Sequence, residues 1–419
     1  MRERLEAVLG NHSIYQARRG EYETGQKIPF RVSPKPLEMS SEQGKEIQAI
    51  GNDITSYFFA ADQLYRSDER VRDLLNTGKP EIFLTEKPAD YLFIRPDLVI
   101  TPNGFTICEI ETSAFGLGLA EIVNRGYRQK GFETLVGDTT LSTYVQKLTP
   151  AEGTLVYSQK TKSYAGQMTF LAENVFSGEK RAWHAKKADS DNQNTLYRGF
   201  YLNEYLEDPS IKVLLDQQIA TGNQLLPSPT PHMEEKALLS FVWDRRFEKY
   251  FQKELGDGAF NHLRDVIPLT WIVGQEQHVA VSLPEGIKHA SELASLSRAK
   301  RAFVLKSSGF GTQSSWAEGV HFLHEKSAEG ARSLLNQAQN DQSGLHVIQA
   351  FHRGIKVPME YQDAKGENTP MMAKVRLTPY FSLAAGHEGK LIAIKATGCE
   401  KTDFLHASSS SINTAVSSV

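Results

Sequence analysis

The chain has 419 residues, which at about 100–200 residues per domain makes two to three domains. Charged residues make up 23%, and 47 Lys and Arg stand against 50 Asp and Glu for a net charge of −3, a balance that argues against a broad nucleic-acid or membrane-surface face. The two cysteines, Cys108 and Cys399, argue against a disulfide framework or a cysteine-based zinc site. With no apolar run long enough to span a membrane and a charged opening (MRERLEAVLG), they predict a cytoplasmic protein with neither nucleic-acid nor membrane partners.

Residues 1–35 read as polar and irregular. Over 41–77, Ile47, Ile50, Ile54, Phe58 and Leu64 recur at helical spacing, and Ser40 with Gln43 forms a capping-box signal. At 91 the period changes to strand, turn, strand (YLFIRPDLVI, TPNG, FTICEIE), and 115–147 returns to helix. TLVYS (154–158) with a helix at 165–176 predicts a small α/β unit. The run 186–194 reads as a surface loop, and the three prolines of 222–233 mark a linker. Glu234–Phe251 reads as a helix, AFVLK (302–306) as a buried strand entering a Gly/Ser loop, and 346–351 and 372–381 as further strands. The end, HASSSSINTAVSSV, reads as a site-closing loop or a frayed tail. His184, His232 and His352 are expected on surfaces, and Trp271 and Trp316 as core or loop anchors.

The hairpin carries an unusual charge pattern. A three-residue turn, Pro102-Asn103-Gly104, pairs Thr101 with Phe105, which sets Asp97 opposite Glu109 and Arg95 opposite Glu111. Alternation puts these four on one face, shared with Val99 and Ile107, and leaves Ile94, Leu98, Ile100, Cys108 and Ile110 for the core. Three converging carboxylates repel unless neutralised, and such an oxygen-rich cluster suits Mg2+ or Mn2+. The same pattern fits a solvated face with an Arg–Glu cross-strand pair.

Lys306 ends an apolar strand, and Ser307-Ser308-Gly309-Phe310-Gly311-Thr312 follows. Small residues let backbone N–H groups approach phosphate oxygens, and the lysine adds a point charge. There is no Walker sequence, and the segment also fits a plain strand-to-strand turn. Gln349 ends another apolar strand, and Arg376 alternates with Lys374 on KVRLTPYF.

Together these segments resemble the ATP-grasp superfamily in its circularly permuted form, the glutathionylspermidine-synthase-like and related bacterial permuted proteins, over roughly residues 90–419. Arg95-Pro96-Asp97 and Glu109-Ile110-Glu111 resemble its Arg-x-Asp and Glu-x-Asn motifs, with Glu111 in place of Asn. Tyr197 to Phe200 resembles its small pre-grasp domain, Glu235-Lys236-Ala237 its first phosphate lysine, and Ile267 to Trp271 the strand that follows. Lys306 with its loop resembles the second lysine and flexible cover. Gln349-Ala350-Phe351 resembles the adenine hinge, Arg376 to Phe381 the late arginine strand, and Leu405 to Ser409 the terminal His-Gly-Ser-Ser element, with Ala407 for Gly.

The resemblance implies a mixed α+β and α/β fold in which two lobes of antiparallel sheet clamp a nucleotide. It divides the chain into a mostly helical segment (1–90), the metal hairpin with its helices (91–150), a small α/β pre-grasp domain (151–230) and the nucleotide lobes (231–419). It implies an ATP- and Mg2+-dependent (or Mn2+-dependent) ligase that joins a small-molecule or peptide carboxylate to an amine or thiol through an acyl phosphate. Asp97, Glu109 and Glu111 would hold the metal. Lys236, Lys306, Ser307, Ser308, Gly309, Gly311, Gln349 and Phe351 would hold the nucleotide, and Arg95 and Arg376 would serve the reacting groups. Specificity would sit around 113–130 and 353–370. Two other readings stand beside it. One is a nucleotide-binding protein of the same fold without catalysis. The other is a metal-dependent nuclease built on a PD-(D/E)xK-like hairpin, in which Glu111 occupies the lysine position.

Overall fold

The structure, a computed structural model, describes residues 1–15, 26–85, 89–113, 115–148, 153–176, 180–188, 195–311, 313–314, 318–363, 365–384 and 389–419. Thr312, Trp316 and most of the polar run 186–194 lie outside the described residues.

Helix α1 (Arg2–Leu9) already departs from the expected irregular start. Leu5 and Leu9 lie about one helical turn apart and both are buried. Leu5 packs into the space left by Gly126 of a later helix, where an added Cβ would come within 2.2 Å. Strands β1 (Arg31–Val32) and β2 (Leu37–Met39) follow. Helix α2 (Ser41–Ser67) opens with the expected capping box: Ser40 Oγ accepts the Gln43 N–H at 3.2 Å, and Gln43 Oε1 accepts the Ser40 N–H at 2.9 Å. Its Ile47, Ile50, Ile54, Phe58 and Leu64 are buried as their spacing predicts, and α3 (Glu69–Leu75) continues the helical segment.

Next come β3 (Phe93–Thr101), β4 (Gly104–Glu111), α4 (Leu117–Arg128) and α5 (Thr140–Leu148). A small α/β unit comprises β5 (Gly153–Tyr157), α6 (Ala165–Asn174), β6 (Lys180–His184), α7 (Ala185–Ala188), β7 (Thr195–Gly199), α8 (Pro209–Thr221) and β8 (Gln224–Leu226). Its strands form a parallel sheet in the order β6-β5-β7-β8. The proline-rich stretch expected as a linker supplies β8, because Leu225 and Leu226 are buried.

The expected helix over 234–251 is not one helix. Lys236–Trp243 is a tight 3-10 turn with Ala237 to Val242 all buried, so it lacks the polar face of a surface helix. Helices α9 (Glu248–Leu255) and α10 (Asp257–Val266) come after it. Strands β9 (Thr270–Ile272), β10 (Phe303–Ser308), β11 (Val320–Phe322) and, after helix α11 (Ala328–Asn340), β12 (Leu345–Ala350) form an antiparallel sheet in the order β11-β10-β12-β9. Trp271 is core, as expected.

The chain ends with β13 (Lys356–Gln362), β14 (Asn368–Ser382), β15 (Leu391–Cys399), β16 (Ile412–Thr414) and β17 (Val416–Ser418). The tail is neither loop nor frayed end at 412–418. Ile412, Asn413, Thr414, Ala415 and Val416 are fully buried, β16 pairs with both β15 and β1, and β17 pairs with β2. The large sheet runs β1-β16-β15-β14-β3-β4, with β13 also on β14, so it joins strands from the 91–150 and 231–419 segments. Helix α2 covers one face, where Gly51 sits against the Phe381 ring, and α4 packs on the other face over β15. Among the described residues no helix is long and apolar enough to cross a membrane.

Candidate functional site

Between the large sheet and the β9–β12 sheet lies a cavity of about 330 Å³. The hairpin β3–β4 forms its floor, and the register there is the expected one for an unexpected reason. The turn is a two-residue loop with Thr101 paired to Gly104, one residue short of expectation. A bulge then inserts Cys108, since Asp97 pairs with Glu109 whereas Leu98 pairs with Ile107. The two one-residue shifts cancel, and Arg95 faces Glu111 as predicted. The bulge also exchanges faces locally. Ile107, expected beside the charges, is fully buried in the core, and Cys108, expected in the core, lines the cavity with Thr106.

Each carboxylate meets a cation. Asp97 is 1% exposed, with Oδ1 on Arg95 Nε at 3.0 Å and Oδ2 on Arg376 Nη1 at 3.1 Å. Arg376 reaches it because β14 pairs Arg376 with Val99, which shares a strand face with Asp97. Arg95 also binds Glu111 Oε2 through Nη2 at 2.8 Å and donates from Nη1 to the Phe115 carbonyl at 3.0 Å. Tyr201 donates to Glu111 Oε1 at 2.8 Å. Glu109 pairs with Lys236 at 3.2 Å, and its side chain remains 31% exposed, so it is open to an incoming cation. Burial raises the Glu109 carboxyl, but Lys236, Lys306 and Arg95 outweigh it and hold the group below its usual range. Burial raises Glu111, Arg95 opposes, and the neighbouring carboxylates Glu109 and Asp97 leave it above its usual range.

The expected three-carboxylate metal cluster is corrected on one point. Among the described residues no three His, Cys, Asp or Glu side chains come together as a ligand set. Asp97 is 1% exposed with both oxygens on arginines, whereas the Glu109 and Glu111 side chains keep 31% and 14% exposure, which makes them the accessible pair.

The second sheet brings its lysine to the same place. Lys306 Nζ donates to the Cys108 carbonyl at 2.5 Å and to Gln349 Oε1 at 2.7 Å, and burial lowers its pKa. Gln349 in turn donates to Thr270 Oγ1 at 3.3 Å, so it positions the lysine. Lys236 is anchored by the Ser314 carbonyl at 2.7 Å. Gly309 and Phe351 border the cavity, whereas Ser307, Ser308 and Gly311 do not. Ser307 Oγ lies 3.4 Å from His346 Nδ1. Ser308 Oγ accepts the Ala237 N–H at 2.9 Å and donates to Glu235, which also pairs with Lys79. The Gly311 carbonyl accepts from Ser314 Oγ at 2.6 Å. At the expected adenine hinge, the backbone N–H groups of Ala350 and Phe351 are already donated to Leu269 and Ala302. That end of the cavity instead offers an apolar slot of Val99, Pro268, Val304, Val320, Phe322 and Phe351.

Several site residues escaped the sequence reading. Lys395 is buried in the cavity wall, where burial, with Arg376 and Arg95 adding, pushes its pKa down to about 7. Nothing in IAIKATG marks it, because only the pairing of β14 with β15 sets Lys395 opposite Thr378. Glu235 and Lys79 are 1% and 0% exposed and tie the helical N-terminal segment to the glycine loop. His232, expected on a surface, is 1% exposed, stacks on Tyr65 at 3.7 Å and lies 2.9 Å from Asp62 Oδ1.

The folded chain thus has a mixed α/β architecture built on several sheets. No family model matches it, and no curated protein does. Among solved structures it is similar to a glutathione synthetase-like effector from Globodera pallida in its apo form, with a TM-score of 0.56 and 11% identity, over 100% of this chain and 96% of that one. At that identity the likeness is one of fold.

Proposed function

We propose that the protein is an ATP- and Mg2+-dependent carboxylate–amine (or carboxylate–thiol) ligase of permuted ATP-grasp type, working through an acyl phosphate. The observation that carries this reading is the convergence in one cavity of Arg95 and Arg376 from the large sheet, Lys306 from the second sheet and Lys236 from its 3-10 turn, around Asp97, Glu109 and Glu111. Mg2+ commonly uses one or two protein carboxylates and completes its shell with phosphate oxygens and water, so Glu109 and Glu111 fit it without a third ligand. When bound, the ion supplies charge neutralisation for the phosphate chain.

In this reading the apolar slot at Phe351 takes the base, and Lys306 and Lys236 neutralise phosphate oxygens, with Lys236 exchanging Glu109 for phosphate. A carboxylate oxygen of the acid attacks the γ-phosphorus and the bond to ADP breaks. The amine nitrogen then attacks the acyl carbon and phosphate leaves. Arg95 and Arg376, locked on Asp97, stay aimed at the oxygens that gain charge. Exclusion of water from the cavity on substrate binding would protect the acyl phosphate.

A second reading, nucleotide binding without turnover, is favoured by the two arginines that occupy Asp97. A nuclease leaves Lys306 of the second sheet without a role. The test is Mg2+-dependent ADP release across pools of acids and amines, beside binding of a non-hydrolysable ATP analogue. Glu109→Ala abolishes turnover while the circular dichroism spectrum is kept. Undiminished turnover in that variant refutes the assignment, and binding without turnover in the unmodified protein selects the second reading.

A further inference from the structure

One corner of the cavity, beyond the carboxylates, holds groups that, Arg376 apart, have no part in the mechanism above. On the cavity face of the large sheet, Arg376 is paired with Thr397 and Thr378 with Lys395, a two-by-two patch on adjacent strands. Thr378 is 3% exposed, yet its hydroxyl has no hydrogen-bond partner among the described residues. Arg376 uses Nη1 on Asp97, and its buried Nε likewise has no partner among the described residues. Lys395 is 4% exposed and donates to Thr397 Oγ1 at 2.9 Å, with Thr397 held on Asn413 at 2.9 Å. A buried donor left unpaired is destabilising, and here two of them stand beside the buried Lys395 side chain. Oxygen acceptors carrying negative charge would satisfy all three.

The surroundings add to this. Gly116 opens α4 without a side-chain cap, and a Cβ there would lie 3.1 Å from Tyr380 Oη and 3.9 Å from Lys395 Cε. The positive end of the α4 dipole therefore borders the patch. On the other side of Gly116 stands an aromatic wall. Phe115 packs on Tyr201 at 4.8 Å and on Tyr164 at 5.3 Å, and Tyr164 packs on Tyr15 at 5.6 Å. All four rings line the cavity.

We propose that this corner is the acid-substrate subsite, in which Arg376 Nε, Thr378 Oγ1 and Lys395 Nζ hold a carboxylate while the Phe115–Tyr164–Tyr201 wall takes an apolar body, so that the acid is an aryl- or alkyl-carboxylic acid. This deepens the ligase reading and rests on it for the meaning of the acid. The same donors could take a phosphate of the nucleotide, and the experiment separates the two sources.

The full chain is titrated calorimetrically with 3-phenylpropionate, acetate and 3-phenylpropanol, each without nucleotide, and separately with a non-hydrolysable ATP analogue and Mg2+. Phenylpropionate binds about tenfold tighter than acetate, which lacks the body, and about tenfold tighter than the alcohol, which lacks the charge. Lys395→Met and Thr378→Val each erase the preference for acid over alcohol and leave the affinity for the ATP analogue within about twofold. Equal affinity for acetate and phenylpropionate overturns the proposal, as does acid binding unchanged in both variants. A loss in Lys395→Met confined to the ATP analogue assigns the corner to phosphate and also overturns it. Because the acid arm contains no nucleotide, preference for phenylpropionate in a protein that binds no ATP analogue sinks the ligase reading and keeps the subsite. Nucleotide binding without any acid preference does the reverse.

Discussion

The buried pair between Lys79 and Glu235 gives the sharpest test of how the N-terminal segment supports the site. Lys79 follows α3 and donates to the Leu75 carbonyl and to Glu235. Glu235 also accepts from Ser308, whose oxygen takes the Ala237 N–H next to Lys236. Lys79→Met removes one partner and strands the carboxylate at 1% exposure, which costs about 3–5 kcal/mol. The double variant Lys79→Met/Glu235→Gln keeps a partner for Ser308 and buries no lone charge, so its cost falls to about 1–2 kcal/mol. The second change therefore recovers about 2–3 kcal/mol of what the first one costs. Urea denaturation at pH 7 measures all three proteins, and binding of the ATP analogue follows in parallel, weakened in the single variant and restored in the double. A single variant within about 1 kcal/mol of the parent, or a double variant no more stable than the single, refutes the role given to the pair.

Three further outcomes follow from the geometry. Lys306→Met weakens the ATP analogue about 10- to 100-fold by calorimetry, yet leaves stability unchanged or raised, because burial already disfavours the lysine's charge; marked unfolding would show a structural lysine instead. Gly309→Ala combines φ +76° with a Cβ placed 2.2 Å from Glu235 Oε1, so it loses about 1–2 kcal/mol from the backbone alone and loses nucleotide binding. Wild-type binding in that variant would mean that the loop does not shape the site. His262 lies 2.5 Å from Asp53 and 3.2 Å from Glu46, and the Asp53 hydrogen bond, against burial, pushes its pKa up to about 9. Its stabilising contribution is therefore complete below about pH 6.5 and lost as pH rises through about 9. Discounted for solvent screening it amounts to about 1–2 kcal/mol, read as the difference between the parent and His262→Gln in urea titrations at pH 6.5 and pH 10. Parallel pH profiles of the two proteins would refute it.

Local chemistry was enough for the α2 capping box, for the apolar stripe from Ile47 to Leu64, and for the placing of Arg95, Asp97, Glu109 and Glu111 on one ribbon, since each depends on residues within a few positions or on one turn. Even there two errors cancelled: a shorter turn at Pro102-Asn103 and a bulge at Cys108 restored the expected pairs, and a bulge leaves little mark in sequence. Everything that required a distant partner was decided by the tertiary structure. Ser308 looked like a phosphate ligand, and its partner turned out to be a glutamate seventy-three positions earlier. The small polar tail looked free, and its backbone hydrogen bonds and burial come from the sheet strands it joins. Lys395 and Thr378 became neighbours only when β14 met β15. Periodicity and capping are local energies written into the chain, whereas strand partners, buried charges and the two sides of a cavity are set by which surfaces exclude water together, and that depends on the whole fold.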